Sequence, residues 1–274
     1  MITHTPDNRE IYYRTKGTGP ELLFIHGGGG STFDSLIEVL SPQYSCTSFN
    51  RLGWGKSTHL DRDTTVEEQV TAIEAVHNSI TSEPVWVFGY SSGGNFALAY
   101  AVAHPDRVKG LILVEPALYA IYPPEMKPPE VERMAELISL FEPGQREKVW
   151  DGFLEAIFNF RRKPSAPPRT EADLEMMRSF GYDQPVVMTW CPSEVELKQV
   201  TQPVLIIEGD RSPSVLRNIS DLLDGILSNS ELITLEGQNH GMPMAAPRLV
   251  AEKLTTFISE CESRASKKSL FLSH

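Results

Sequence analysis

The chain has 274 residues, 41% of them hydrophobic and 22% charged, which is enough to bury a large core and lacks the polar bias of a disordered chain. Its formal charge of −11 argues against nucleic acid or an anionic membrane as a general partner, and the one basic run, Arg161-Arg162-Lys163, is too short to outweigh that field and reads as a solvated loop. The Met1 to Glu10 stretch is polar, no run approaches the roughly 18 apolar residues of a membrane span, and Cys46, Cys191 and Cys261 are far apart and read as free thiols; together these predict a soluble, cytoplasmic protein.

Weak strand signals lie at 11–14 and 44–49. Stronger ones are the short apolar runs at 22–25, 85–88, 111–114, 204–207 and 232–235. Runs this short, bounded by Gly and Pro, predict strands buried on both faces, as in a parallel sheet. Helices fill the gaps. Val66, Val70, Ile73, His77 and Ile80 share one helical face, and Thr64 with Glu67 reads as the capping box that opens it. Ala97, Ala99, Ala101 and Ala103 mark a helix small enough to pack close to a sheet, and Val250, Leu254, Phe257 and Ile258 stripe a last one. Strand and helix alternate, which predicts an α/β fold with a mostly parallel sheet flanked by helices.

The alternation breaks once, after 111–114. Prolines cluster at the entrance to this stretch (Pro123, Pro124, Pro128, Pro129) and in its middle (Pro164, Pro167, Pro168). Two amphipathic helices are readable, one through Val131, Met134, Ile138 and Phe141, the other through Trp150, Phe153, Leu154, Ile157 and Phe158. Residues 117–199 hold 10 of the 24 aromatics and 5 of the 8 methionines. Such enrichment serves either a small core of the insert's own or an apolar underside lining a substrate pocket, and the two readings are compatible. The expected organisation is a core from 1–116 and 200–262, a helical cap at 117–199 and a polar tail at 263–274 with a Leu-Phe-Leu patch, docked or loose.

The run at 85–88 leads into Gly89-Tyr90-Ser91-Ser92-Gly93-Gly94, and the alanine-rich helix follows at once. This is G-x-S-x-G in strand–turn–helix context. A serine on so tight a turn is strained and points Oγ outward, and the glycines two positions away let strand and helix approach. A serine hydroxyl also needs a base. Of seven histidines, His240 lies in the loop after the last strand and before the last helix. His274 is at the C-terminus, His4 is read as N-terminal to the fold, and His77 falls on an apolar helix face as a satisfied core residue. His26 reads as a loop brace, and His59 and His104 as surface or linker positions.

These features resemble the α/β-hydrolase superfamily over nearly the whole chain. His26-Gly27-Gly28-Gly29-Gly30 stands where such enzymes carry their oxyanion loop, Asn50-Arg51-Leu52-Gly53-Trp54-Gly55-Lys56-Ser57 is similar to the family's D-x-x-G-x-G-x-S, with Asn at the usual Asp, and His104-Pro105-Asp106-Arg107-Val108 to its H-P-x-R-V. The resemblance implies a helical cap inserted after strand 6, Ser91 as nucleophile, His240 as base, and the backbone N–H groups of Gly28 and Ser92 as the oxyanion hole.

The acid departs from the commoner pattern. Three positions past Gly209, where many members place it, stands Ser212, and Asp210 comes two residues early. Other branches place it at the end of the preceding strand, where this chain has Glu115-Pro116. Glu115 is the first candidate and Asp210 the second, with no functional acid as the remaining alternative; Glu208 reads as structural. The expected reaction is hydrolysis of a carboxylic ester, thioester or lactone through an acyl-enzyme, on a small, largely apolar acyl substrate. A Ser-His C–C bond hydrolase or lyase and a low-turnover, receptor-like binding protein stay open. No metal-ligand spacing or nucleotide loop is present, so no metal and no cofactor is expected.

Overall fold

A computed structural model describes residues 1–30 and 33–272, with side chains to residue 266. The strands are β1 (Ile2–His4), β2 (Glu10–Lys16), β3 (Glu21–Ile25), β4 (Ser45–Phe49), β5 (Val85–Tyr90), β6 (Val108–Val114), β7 (Val204–Gly209) and β8 (Ser230–Leu235). They form one sheet in the order β1-β2-β4-β3-β5-β6-β7-β8. The pairings of β2 with β1 and β4 are antiparallel, and all others are parallel. The chain is therefore an α/β protein with a mostly parallel sheet. β1 was not foreseen. Only three residues long, it has no periodicity to read, and it makes His4 an edge-strand residue, with Nε2 3.8 Å from Glu10, rather than one outside the fold.

The helices α1 (Asp34–Leu40), α2 (Val66–Ile80), α3 (Ser92–Ala103), α4 (Pro129–Ser139), α5 (Arg146–Phe158), α6 (Glu171–Thr189), α7 (Glu194–Gln199), α8 (Ser214–Ile226), α9 (Met242–Ala245) and α10 (Pro247–Leu272) surround it. Leu23, Ile25, Val85 and Val87 pack with Ile73 and Val76 of α2, Phe96 and Tyr100 of α3, and Ile219 and Leu223 of α8. Leu22, Phe24, Trp86 and Phe88 face the other way, toward Leu36 and Leu40 of α1 and Val250 and Leu254 of α10. Both faces are covered, which is why the central strands read as unbroken apolar runs.

The box that caps α2 is Thr65 with Glu68, one residue later than the Thr64–Glu67 reading. Thr and Glu each occur in pairs there, and it is Thr65 whose side chain accepts from the third helical N–H. Four helices, α4 to α7, fill the stretch between β6 and β7. Sequence reading found α4 and α5 but missed α6, which opens with a capping box of Thr170 and Asp173 and carries Gly181 and Pro185 inside it. Gly181 makes room for the Phe141 ring, since a Cβ there would stand 1.9 Å from a ring carbon. The Arg161-Arg162-Lys163 run lies in the loop after α5. α10 continues without a break through residue 263, while the Leu-Phe-Leu side chains and His274 lie outside the described residues. Among the described residues, no helix is long and apolar enough to cross a membrane.

Candidate active site

Ser91 joins β5 to α3 with φ 53° and ψ −128°, a backbone conformation that favours glycine. Close packing holds it there. A Cβ on Gly89 would stand 2.7 Å from Gly94 Cα, and one on Gly93 would stand 2.2 Å from the Ile25 carbonyl oxygen. The Ser91 N–H donates to the Val114 carbonyl at 3.0 Å, and the Ser91 carbonyl accepts from Ala117 N–H at 3.1 Å, so the elbow is stitched to the end of β6.

The residue that follows β6 is Glu115, also at positive φ, 42°. It is fully buried, and both carboxylate oxygens have partners. Oε1 accepts from Gly209 N–H at 2.8 Å, and Oε2 lies 2.6 Å from His240 Nδ1. A carboxylate sealed in this way is tolerable because it is hydrogen-bonded on both sides. The contact fixes the proton of neutral His240 on Nδ1 and leaves Nε2 as the basic nitrogen. Among the described residues no hydrogen bond joins the Ser91 hydroxyl to His240; in unliganded sites such bonds are often long and tighten only around substrate.

His240 is 8% exposed. The Tyr90 hydroxyl donates to its carbonyl at 2.9 Å, and the Tyr90 ring lies 4.8 Å from the imidazole. Burial, and then the charge of Glu115, push the Tyr90 pKa up, so this tyrosine stays a neutral donor. From the insert, Phe158 places its ring 5.6 Å from the imidazole. Asp210 is exposed at the end of β7, with no hydrogen bond to His240 among the described residues. Ser212 is buried, and its hydroxyl has no partner among the described residues. Glu208 is buried and accepts from the Thr234 hydroxyl at 2.9 Å; burial raises its pKa.

The glycine loop after β3 lies against the elbow, since a Cβ on Gly27 would stand 2.8 Å from Ser91 Cβ. Ser92 opens α3, so its N–H is one of the orphan donors of a helix start. His26 braces the loop. Its Nε2 accepts from Arg51 N–H at 3.0 Å, which leaves Nδ1–H to donate to the Gly27 carbonyl at 2.8 Å. Burial, and then the Arg51 cation, hold His26 well below the usual histidine range, so it stays neutral. His77 is a core residue, with Nδ1 2.7 Å from the Tyr100 hydroxyl and Nε2 2.8 Å from the Glu83 carbonyl. His59, half-buried, pairs with Glu175 at 3.0 Å.

Sequence reading missed the residues that tie the insert to this site. Arg51 and Asp183 form a two-pronged ion pair at 2.7 and 2.8 Å, both fully out of solvent or nearly so. They are 132 positions apart, and no local pattern announces the pairing. A cleft of about 760 Å³ opens beside His240, walled by Tyr90, Ser212 and Arg211 on the sheet side and by Leu154, Ile157 and Phe158 of α5.

Residues 20–247 match the family model described as alpha/beta hydrolase fold. A pimeloyl-[acyl-carrier protein] methyl ester esterase from Vibrio vulnificus (strain YJ016) is 24% identical over 90% of this chain and 98% of its own length. A probable proline iminopeptidase from Leptolyngbya boryana is 38% identical, over 38% of this chain and 34% of its own length, so the match spans about a third of that relative. An esterase from Exiguobacterium antarcticum superposes with a TM-score of 0.74 at 20% identity, covering 94% of this chain and 99% of the other. With a family model matched over most of its length, the chain belongs to the α/β-hydrolase fold family.

Proposed function

We propose that the chain hydrolyses an ester-like carbonyl, a carboxylic ester, thioester or lactone, through an acyl-enzyme on Ser91. The reading rests above all on the 2.6 Å contact between Glu115 Oε2 and His240 Nδ1, one strand away from the elbow that carries Ser91. Ser91 Oγ attacks the carbonyl carbon and its proton passes to His240 Nε2. Glu115 orients the ring and stabilises the imidazolium without taking the proton itself. The oxygen that becomes negative is met by the N–H groups of Gly28 and Ser92, the latter at the positive end of α3. His240 then protonates the leaving group, and water, activated by the same nitrogen, releases the acid.

The apolar α5 wall of the cleft favours a small to medium, largely uncharged acyl group. Cys46, Cys191 and Cys261 are free thiols, in keeping with a cytoplasmic location. The test is turnover of p-nitrophenyl butyrate. Ser91→Ala is expected to abolish it, with a loss of at least about a thousandfold, and a fluorophosphonate is expected to label Ser91 in the native chain. Labelling without turnover would instead identify a binding protein that keeps the pocket.

A further inference from the structure

One buried amide has no part in the chemistry above. Asp183 and Gln184 are neighbours on α6. Asp183 is held by Arg51, whose Nε also donates to the His26 carbonyl at 2.9 Å, so this turn of α6 is tied to the loop that carries Gly28. The Gln184 side chain reaches over the same loop. Its Nε2 lies 3.8 Å from the point where a Cβ on Gly28 would stand, beside the Phe180 ring at 3.1 Å. Gln184 is 2% exposed, and among the described residues its side chain makes no hydrogen bond. A substrate oxygen in the site would give this amide a hydrogen-bond partner.

We propose that Gln184 is a specificity-determining residue whose amide hydrogen-bonds an oxygen on the carbon next to the scissile carbonyl, so that the site prefers α-alkoxy, α-hydroxy or α-keto esters to plain acyl esters. The inference rests on the Ser91 reading, which puts the scissile carbonyl oxygen at the Gly28 N–H, on the loop this amide covers. A glutamine offers both a donor and an acceptor, so either end serves. The ion pair on the preceding residue holds this part of α6 in place before substrate arrives, which lowers the ordering cost of the contact.

The test compares p-nitrophenyl methoxyacetate with p-nitrophenyl butyrate, which differ by one oxygen in place of a methylene, each rate being divided by that of its reaction with imidazole in solution. Gln184→Met keeps the side-chain length and lacks the amide. It is expected to lower kcat/KM for the methoxyacetate about five- to tenfold more than for the butyrate. Gln184→Asn, which keeps the amide but withdraws it by one methylene, is expected to shift the ratio in the same direction. Equal losses on both esters, or no change on either, overturn the inference. Calorimetric binding of the two intact esters to Ser91→Ala separates this inference from the hydrolase reading. Tighter methoxyacetate binding that vanishes in Ser91→Ala/Gln184→Met supports Gln184 whether or not the native chain turns over. Equal binding overturns it, and a binding preference without native turnover overturns the hydrolase reading alone.

Discussion

Ser91 and Glu115 are positioned by backbone: both have positive φ, they end neighbouring strands, and glycines at 89, 93 and 94 are packed too tightly to accept a side chain. The insert meets the same site through side chains, with Phe158 against His240, Phe180 over Gly28, and Asp183 on Arg51. The first arrangement admits almost no adjustment, because main-chain atoms cannot be exchanged one at a time. The second changes with a single substitution. On the proposed reading, reaction and selectivity are therefore carried by parts of the molecule that respond to mutation on different scales.

The largest effect is expected in the backbone-held part. Glu115→Gln should lower kcat on the p-nitrophenyl ester about 10³- to 10⁴-fold, as neutralising an orienting carboxylate does. Asp210→Asn, at an exposed position, should change it by no more than about twofold. The reverse order of effects would return the acid to Asp210.

Next comes the joint between the two regions. Asp183→Asn leaves the Arg51 cation buried without its partner and should cost about 3–5 kcal/mol in denaturant unfolding. Replacing both, as Arg51→Met with Asp183→Leu, should recover most of that loss, because a well-packed apolar pair carries no desolvation penalty. A cost below about 1 kcal/mol for the single change, the range of exposed pairs, would show that the insert is anchored elsewhere, for instance by the Tyr122 hydroxyl on the Val215 carbonyl at 2.7 Å.

The smallest effect is a control within the sheet domain. Glu68 is bonded by Arg62 and by Arg9, at 2.6 Å each, and those bonds, Arg62's first, lower its pKa to about 2. A depressed carboxylate stabilises the fold above its unfolded pKa and loses that contribution as pH falls through the folded value. Native and Glu68→Gln chains should therefore differ by about 1–3 kcal/mol near neutrality. The gap should close between pH 5 and pH 2, with thermal melts across that range as the measurement. A gap independent of pH would mean that the charge is irrelevant and only the amide's shape matters.

Much of the sheet was legible because covering both faces leaves continuous apolar runs at 22–25, 85–88 and 204–207. The elbow was legible because its glycines meet a strict steric demand, whereas His240 was singled out because the resemblance implies a base after the last strand. Glu115 was readable as a carboxylate ending an apolar strand, but its preference over Asp210 leaned on resemblance as well. α6 was illegible for a physical reason: its inward face carries Asp183 and Gln184 among Phe180 and Val187, so polar residues aimed at Arg51 and at the Gly28 loop break the stripe that periodicity seeks. Arg51 sat inside a recognised segment, yet its partner lies in another region of the fold.

The left-handed backbone at Ser91 and Glu115 has a consequence for how this chain tolerates change. Each such conformation costs about 1–3 kcal/mol for a residue bearing a Cβ, and glycine would release it. On the proposed Ser91 reading, a glycine at position 91 would yield a firmer fold that performs no chemistry. Inactivation at position 91 is therefore downhill in folding energy, and thermal stability alone is a misleading guide when variants of this chain are screened.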